Sequence, residues 1–238
     1  MTECLVISLD AARFSAFCKR NGATGIEFKH FYAVDGAALS HIPNGVVLLG
    51  ANYPMPAIGA ALSHRGLWQQ CLSRDEVIAV FEDDAWLRHD FERQLNTLLQ
   101  RASGWDVNLF GCNTDTGIEL AVTPRLSLRG NFSVLYPQPE HLAEFTKMRD
   151  AVELCQILLA FGICGYAITP QGAERLLQHC FPLDNRPLRL AVSGRRIRAY
   201  GIDCMIADAY PKIRALLCLP PLIMTPNEQR SSQIQRHA

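Results

Sequence analysis

Val77-Ile78-Ala79-Val80-Phe81 leads directly into Glu82-Asp83-Asp84, and this stretch decides the fold class. Its five apolar residues predict a strand buried on both faces, which is typical of a parallel or mixed sheet covered by helices. Ligands of such sheets collect outside the carboxyl ends of the strands. Three carboxylates gathered there repel one another unless a cation neutralises them. The stretch therefore predicts a site for a divalent cation, Mn²⁺ or Mg²⁺.

The same acidic triplet has a simpler interpretation, in which it only ends the strand. Asp is a frequent turn residue, and a carboxylate in front of a helix can cap that helix. The triplet alone leaves both interpretations open.

The composition predicts a single neutral domain without nucleic-acid binding. The chain has 238 residues, and 23 basic residues balance 23 acidic ones, whereas a surface that tracks phosphates needs clustered excess cation. The nine cysteines form no Cys-x-x-Cys pair, so we expect buried free thiols in a reducing compartment. The start of the chain does not resemble a secretory signal, and the longest apolar stretch, 157–168, is too short to span a bilayer. We expect a cytoplasmic protein, with peripheral contact to the inner face of the membrane left open.

The order of predicted elements favours an α/β fold. The chain opens with a strand at 4–9, a helix at 12–20 and a strand at 27–34, an order that argues for parallel pairing. Further on, the pattern predicts helices at 58–72, 91–101, 170–179 and 201–209, strands at 107–110 and 163–169, one or two short strands within 120–136, and an irregular segment at 181–198.

Several motifs together resemble glycosyltransferase family 25, which includes bacterial lipooligosaccharide galactosyltransferases and is related to the collagen galactosyltransferases. They run in order along nearly the whole chain, and the third and fourth are the most specific. The motifs are Val6-Ile7-Ser8-Leu9-Asp10 with Arg13, Ala33-Val34-Asp35-Gly36, Ile58-Gly59-Ala60-Ala61-Leu62-Ser63-His64 with Trp68, Phe81-Glu82-Asp83-Asp84-Ala85 with Asp90-Phe91, Trp105-Asp106-Val107, Gly165-Tyr166-Ala167-Ile168-Thr169-Pro170-Gln171-Gly172-Ala173, Gly201-Ile202-Asp203 and Pro220-Pro221-Leu222.

The resemblance implies a GT-A type nucleotide-sugar-binding fold with a mixed, mostly parallel central sheet flanked by helices. It implies transfer of a hexose, often galactose, from a UDP-sugar to a glycan acceptor such as lipooligosaccharide or lipopolysaccharide, with inversion at the anomeric carbon. We expect one domain over 1–238, with a donor-binding half at 1–115, an acceptor-binding half at 116–225 and a polar tail at 226–238.

The acidic motif supplies the expected metal ligands. In an extended chain Glu82 and Asp84 point to one side and Asp83 to the other. We expect Asp84 to bind the metal most directly, and Asp83 to reach the ribose or to join Asp84 as a ligand. The wider set expected to bind the donor comprises Arg13, Ser63, His64, Glu82, Asp83 and Asn113.

Inversion requires a general base that takes the proton of the acceptor hydroxyl. Asp203 is the candidate because it opens a short predicted helix, although an Asp at that place can also simply cap the helix. Asp208 is a weaker rival. Arg195 and Arg196 belong to an arginine-rich stretch that could bind an acidic or phosphorylated glycolipid acceptor, or could be a solvated loop.

Each of the other donor-binding candidates also has a structural alternative. Arg13 is equally typical of a solvated helix residue, His64 of a hydrogen-bonded core histidine, and Asn113 of a turn.

Two further functions stay compatible with the sequence. A metal-dependent nucleotide-sugar phosphohydrolase would use the same acids. A non-catalytic nucleotide-sugar-binding module would keep the fold without the base.

Overall fold

A computed structural model describes residues 2–101 and 103–226, so the predicted polar tail lies outside the described residues from position 227 onward. The helices in this part are α1 Ala11–Asn21, α2 Met55–Arg74, α3 Phe91–Arg101, α4 Pro139–Phe145, α5 Pro170–Cys180 and α6 Ile202–Ala209. The strands are β1 Glu3–Ser8, β2 Phe28–Tyr32, β3 Ile78–Glu82, β4 Trp86–Leu87, β5 Val107–Leu109, β6 Ile118–Thr123, β7 Leu126–Gly130, β8 Glu153–Leu159, β9 Gly165–Ile168, β10 Pro187–Arg189, β11 Arg196–Arg198, β12 Ala215–Leu219 and β13 Ile223–Met224.

Nine of the strands form one mixed sheet in the order β2-β1-β3-β9-β5-β12-β8-β6-β7. The pairings β1–β2, β1–β3 and β5–β12 are parallel. The other five are antiparallel. The α/β fold and the mixed sheet are confirmed, and the architecture is consistent with a GT-A-like fold. The expected parallel majority is wrong, because β9 inserts antiparallel between β3 and β5, and because β6, β7 and β8 join antiparallel at one edge.

Strand β3 is buried on both faces, as its apolar run predicts. Ile78 and Val80 belong to the core on the face that carries α2, α5 and α6. Ala79 and Phe81 belong to the core on the opposite face, with α1 and α3. Each large side chain buried in this way contributes roughly 1.5–3 kcal/mol. The two cores hold β3 rigidly in the middle of the fold, and the acidic residues follow directly at its end.

Helix α2 lies unusually close to the loop that follows β2. A Cβ atom on Gly59 would lie 2.4 Å from the carbonyl oxygen of Val34 and 2.5 Å from the nitrogen of Gly36. Such distances are well below van der Waals contact, so only glycine permits this approach. The Gly59 position therefore places α2 against the N-terminal sheet.

The segment 181–198, predicted to be irregular, contains the antiparallel hairpin β10–β11. Each strand of this hairpin has three residues, which is too short for an alternating pattern to be recognised. Helix α4 and the strands β4, β8, β12 and β13 were also not predicted.

All nine cysteines are free thiols, as expected. Most of them are buried, and burial raises the pKa of several, including Cys71 to about 11 and Cys112 to about 12. No helix in the described part of the chain has the length and apolar character needed to cross a membrane.

Candidate active site

The acidic motif lies where the parallel strands β1 and β3 end side by side. Ile7 is in register with Glu82, so Ser8 at the end of β1 lies next to Asp83. The Ser8 hydroxyl, which is buried, donates a hydrogen bond of 2.7 Å to Oδ2 of Asp83. The sheet thus places the carboxylates at its carboxyl edge, as the sequence predicts.

Helix α1 fixes the turn that carries these carboxylates. Asp10 caps the helix by accepting the Arg13 N–H at 2.8 Å. The guanidinium of Arg13 then binds both carboxylate oxygens of Asp83, with Nε 2.6 Å from Oδ2. The pair raises the pKa of Arg13. Both oxygens of Asp83 are therefore occupied by Arg13 and Ser8.

Two further residues of α1 bind the backbone of the same turn. Nη2 of Arg20 donates to the carbonyl of Asp83 at 2.6 Å, and the amide of Asn21 donates to the carbonyl of Ala85 at 3.0 Å. Sequence reasoning missed Arg20 and Asn21. The signal was present, because Arg20 follows Arg13 by seven positions, which places both on one face of the helix.

One oxygen of the Asp84 carboxylate is left without a partner in the described structure. This oxygen, Oδ1, is buried and has no hydrogen-bond donor among the described residues. Burial and the charge of Asp83 raise the pKa of Asp84, whereas Arg20 and Arg13 lower it. Burial also raises the pKa of Glu82, and the carboxylates of Asp84, Asp203 and Asp83 raise it further. The carboxyls of Glu82 and Asp84 are thus more readily protonated than exposed ones, because the arginines only partly offset burial and mutual repulsion.

These residues fit a hard divalent cation that takes few protein ligands. The orphaned oxygen of Asp84 is a ligand type that Mg²⁺ and Mn²⁺ prefer. Within the described residues, no group of three or more His, Cys, Asp or Glu side chains is arranged to hold a metal ion. The fit is therefore to a cation whose remaining ligands are water and substrate phosphates, which is usual for Mg²⁺.

Asp203 lies in the first turn of α6, next to the residue Gly201 that caps the helix. Burial raises the pKa of Asp203, and the backbone N–H groups of Cys204 and Gly162 oppose that rise. A Cβ atom on Gly201 would lie 2.6 Å from the Oδ1 atom of Asp203, so this carboxylate lies against the backbone in front of α6. The charge of Asp203 also contributes to the raised pKa of Glu82.

Asn113 follows β5 and joins the same region. A Cβ atom on Gly162 would lie 2.1 Å from the Oδ1 atom of Asn113, so that amide lies directly on the backbone of Gly162. Two residues further on, Oδ1 of Asp115 and Oγ1 of Thr116 are buried without a partner in the described structure. The polar run after the buried strand contains Asp115 and Thr116, which sequence reasoning also missed.

Ser63 and His64 lie inside the fold. The hydroxyl of Ser63 accepts the N–H of Val34 and donates to the carbonyl of Gly59, both at 2.8 Å. Nδ1 of His64 lies 2.8 Å from the hydroxyl of Tyr166, and burial lowers the pKa of His64 to about 3. Both side chains are buried, so their predicted contact with the donor finds no support in this geometry.

Arg195 and Arg196 are exposed at the β10–β11 hairpin. Arg196 is the first residue of β11 and is in register with Arg189 of β10. No described contact joins either residue to Glu82, Asp84 or Asp203. The hairpin nevertheless continues through Arg198 and Tyr200 to the start of α6, which carries Asp203.

The comparison with known protein families gives one match. No curated protein sequence matches the chain. The model of glycosyltransferase family 25, described as an LPS biosynthesis protein, matches residues 1–187. The match includes the acidic motif and Arg13 and ends before Arg195, Arg196 and Asp203. Because it covers most of the 238 residues, the chain belongs to glycosyltransferase family 25.

Proposed function

We propose that the chain transfers a hexose from a UDP-sugar to a glycan acceptor such as lipooligosaccharide or lipopolysaccharide. Galactose is the hexose that we propose first. The reaction would invert the anomeric carbon and depend on Mn²⁺ or Mg²⁺. The single observation that carries the proposal is the buried, unpartnered oxygen of Asp84 at the end of β3. A carboxylate with this burial and this lack of partners is suited to an incoming cation.

Asp84 would hold the metal directly, and Glu82 is the nearby carboxylate that could join it. A bound divalent ion would stabilise the negative charge that grows on the diphosphate as the glycosidic bond breaks. Asp83, predicted as a second ligand, would have to share its oxygens with Arg13 and Ser8. Its role in this proposal is to lock the turn, which keeps Asp84 in place.

Asp203 would accept the proton of the acceptor hydroxyl. A general base works best when its pKa approaches the working pH, and burial shifts the pKa of Asp203 in that direction. Its position in the first turn of α6, directly after the segment that carries Tyr200, supports this role.

The two alternatives predict different chemistry at the same acids. A phosphohydrolase would cleave a UDP-sugar without acceptor at least as fast as it transfers the sugar. A binding module would bind the UDP-sugar without turnover, and Asp203→Asn would change nothing. Family membership favours the transferase over both.

The experiment is a thermal-shift screen of the purified protein with UDP-galactose, UDP-glucose and UDP-N-acetylglucosamine, with Mn²⁺ and with EDTA. A ligand at a hundredfold excess over its Kd adds about 2.7 kcal/mol of stability to the native state. We expect a shift with one UDP-sugar that disappears with EDTA and in Asp84→Asn. Asp75→Asn is the matched control, because Asp75 is exposed at the far end of β3. No shift with any UDP-sugar would refute the proposed donor.

A further inference from the structure

A cavity of about 820 Å³ opens between the loop in front of α2 and the segment that leads into α6. Residues from both halves of the chain line it, among them Asn52, Met55, Asn185 and Tyr200. Pockets of roughly 300–1,000 Å³ hold small organic ligands. The volume suits a mono- or disaccharide.

The side chain of Asn185 ties the two walls of this cavity together. Its Oδ1 accepts the backbone N–H of Asn52 at 2.7 Å, and its Nδ2 donates to the carbonyl of Asn52 at 3.1 Å. The same Nδ2 donates to the carbonyl of Ala199 at 2.8 Å. The walls are thus fixed without a ligand, and the cavity is preformed.

One wall of the cavity lies next to Asp203 in the fold. Tyr200 lines the cavity, and a Cβ atom on the adjacent Gly201 would lie 2.6 Å from the Oδ1 atom of Asp203. The carboxylate of Asp203 therefore lies against the chain segment that forms this wall.

The lining has two kinds of surface. Pro54, Met55 and Pro56 form an apolar wall, against which the C–H face of a sugar ring can pack. Asn52 is exposed and offers an amide that can bind hydroxyl groups. The lining also includes a charged side chain, the exposed guanidinium of Arg198.

Arg198 lies at one end of a basic face on the β10–β11 hairpin. Arg196 and Arg198 are two positions apart on β11 and so share one face, and Arg189 lies directly opposite Arg196. Like charges directly opposite each other in a hairpin are destabilising. Among the described residues, Arg186 is neutralised by Asp184 and Asp208, whereas Arg196 and Arg198 have no ion pair. This face attracts an anion and leads to the cavity.

We propose that this cavity is the acceptor subsite and that it takes a saccharide bearing an anionic group, a phosphate or a carboxylate, which Arg198 binds. The assignment rests on the proposed transferase function and specifies its acceptor class. It places the main acceptor contact at Arg198 instead of Arg195 and Arg196, the residues expected from the sequence, and Arg196 lies on the same face as Arg198. A guanidinium binds either kind of anion through paired hydrogen bonds.

The test uses three probes of one ring size: glucose 6-phosphate, glucuronic acid and methyl glucoside. Their binding is measured by saturation-transfer NMR and by calorimetry at fixed ionic strength, in wild type, Arg198→Ala and Arg198→Lys. Arg125→Ala is the control, because Arg125 is an exposed arginine in the β6–β7 turn. We expect at least one anionic probe to bind about tenfold more tightly than methyl glucoside. Arg198→Ala should abolish this preference, Arg198→Lys should keep part of it, and Arg125→Ala should keep all of it.

Equal binding of charged and neutral probes, or an unchanged preference in Arg198→Ala, would overturn the proposal. The ranking of glucose 6-phosphate against glucuronic acid identifies which anion the subsite prefers. UDP with Mn²⁺ is then added to each complex. Continued binding of the anionic sugar supports an acceptor subsite, whereas displacement by UDP would assign the cavity to the donor and refute it.

Failure of the transferase itself gives a different pattern. In that case no UDP-sugar binds to wild type, and the Arg198-dependent binding of the anionic sugar is unaffected. Failure of the acceptor assignment alone leaves UDP binding intact and removes the dependence on Arg198.

Discussion

The guanidinium of Arg13 and the carboxylate of Asp83, seventy positions apart in the chain, form a two-point ion pair at the end of β3. This pair occupies Asp83 and fixes the turn that also carries Asp84. The neighbouring Asp84 is left with a buried oxygen that has no donor in the described structure. Two adjacent acids thus differ in their surroundings, because only Asp83 forms an ion pair with an arginine.

Replacing Arg13 by Ala should weaken donor binding more than it weakens the fold. The side chain of Arg13 is half exposed, so its loss should cost no more than about 1 kcal/mol of unfolding free energy. The turn loses its anchor, however, and we expect the affinity for UDP with Mn²⁺ to fall about tenfold, which is about 1.4 kcal/mol. Calorimetric titration measures the affinity. Lys19→Ala, an exposed change on the same helix, is the control, and equal affinity in all three proteins would contradict the prediction.

Asp203→Asn should separate binding from chemistry. The amide keeps the shape of the carboxylate but cannot take a proton, so we expect kcat to fall roughly 10²–10⁴-fold with donor affinity unchanged. Steady-state kinetics of hexose transfer, with UDP affinity measured in parallel, provide the test.

Asp208→Asn gives the contrasting result. Asp208 lies 2.8 Å from Nε2 of His179 and pairs with Arg186 and Lys212, each at 3.0 Å. These partners lower the pKa of Asp208 to about 2 against the effect of burial. Asp208→Asn should therefore lower the melting temperature and leave kcat near the wild-type value. A loss of kcat in Asp208→Asn instead of Asp203→Asn would transfer the catalytic role to Asp208.

The stability of the metal-free protein should fall as the pH rises. The pKa values of Glu82 and Asp84 are raised in the folded state, chiefly by burial. The folded state then binds more protons than the unfolded state above the unfolded pKa of about 4, so unfolding free energy falls with pH through the raised values. Chemical denaturation between about pH 7 and pH 8 measures the slope. Below that range His64 contributes the opposite slope, because burial lowers its pKa to about 3 and the folded state then binds fewer protons than the unfolded state.

Variants and metal provide the controls for this pH dependence. Glu82→Gln should flatten the slope, and Glu76→Gln, at an exposed position, should not. Addition of Mn²⁺ should reverse the slope, because a carboxylate must be deprotonated to bind a metal. A stability that rises with pH in EDTA between about pH 7 and pH 8 would contradict the burial of these acids.

Gly59→Ala should disrupt the contact between α2 and the loop after β2. The added methyl group would lie 2.4 Å from the Val34 carbonyl oxygen, which belongs to the backbone and cannot turn away. We expect a loss of roughly 1–3 kcal/mol, the usual cost of overpacking. Gly22→Ala is the control because no atom lies within 4 Å of the position that its Cβ would occupy. Equal melting temperatures for the two variants would show that α2 can shift without cost.

The buried strand β3 was predicted correctly from local pattern, whereas the equally apolar strand β12 was not predicted. The run 77–81 has no polar position on either face, and β3 is accordingly buried on both. The local sequence pattern does not show whether a strand pairs parallel or antiparallel with its neighbours. The antiparallel course of β9 between β3 and β5 follows from long-range pairing, and local periodicity does not encode it.

The residues of the candidate site were likewise only partly predictable from the sequence. The motif identified Glu82, Asp83 and Asp84 as a group, but Ser63 and His64 belong to a motif of equal strength and are buried in helix packing. A motif reports which residues occur together in a family. It does not separate those that touch a ligand from those that hold the helix in place.

The sequence by itself determined the buried strand, the three acids at its end and membership in the family. Only the tertiary structure decided which acid is free. Asp83 forms an ion pair with Arg13 and accepts a hydrogen bond from Ser8, which are seventy or more positions away, whereas Oδ1 of Asp84 is buried without a donor in the described structure. The three acids are chemically almost alike. Their difference arises from the groups that folding brings within hydrogen-bonding distance, and those groups are remote in the sequence.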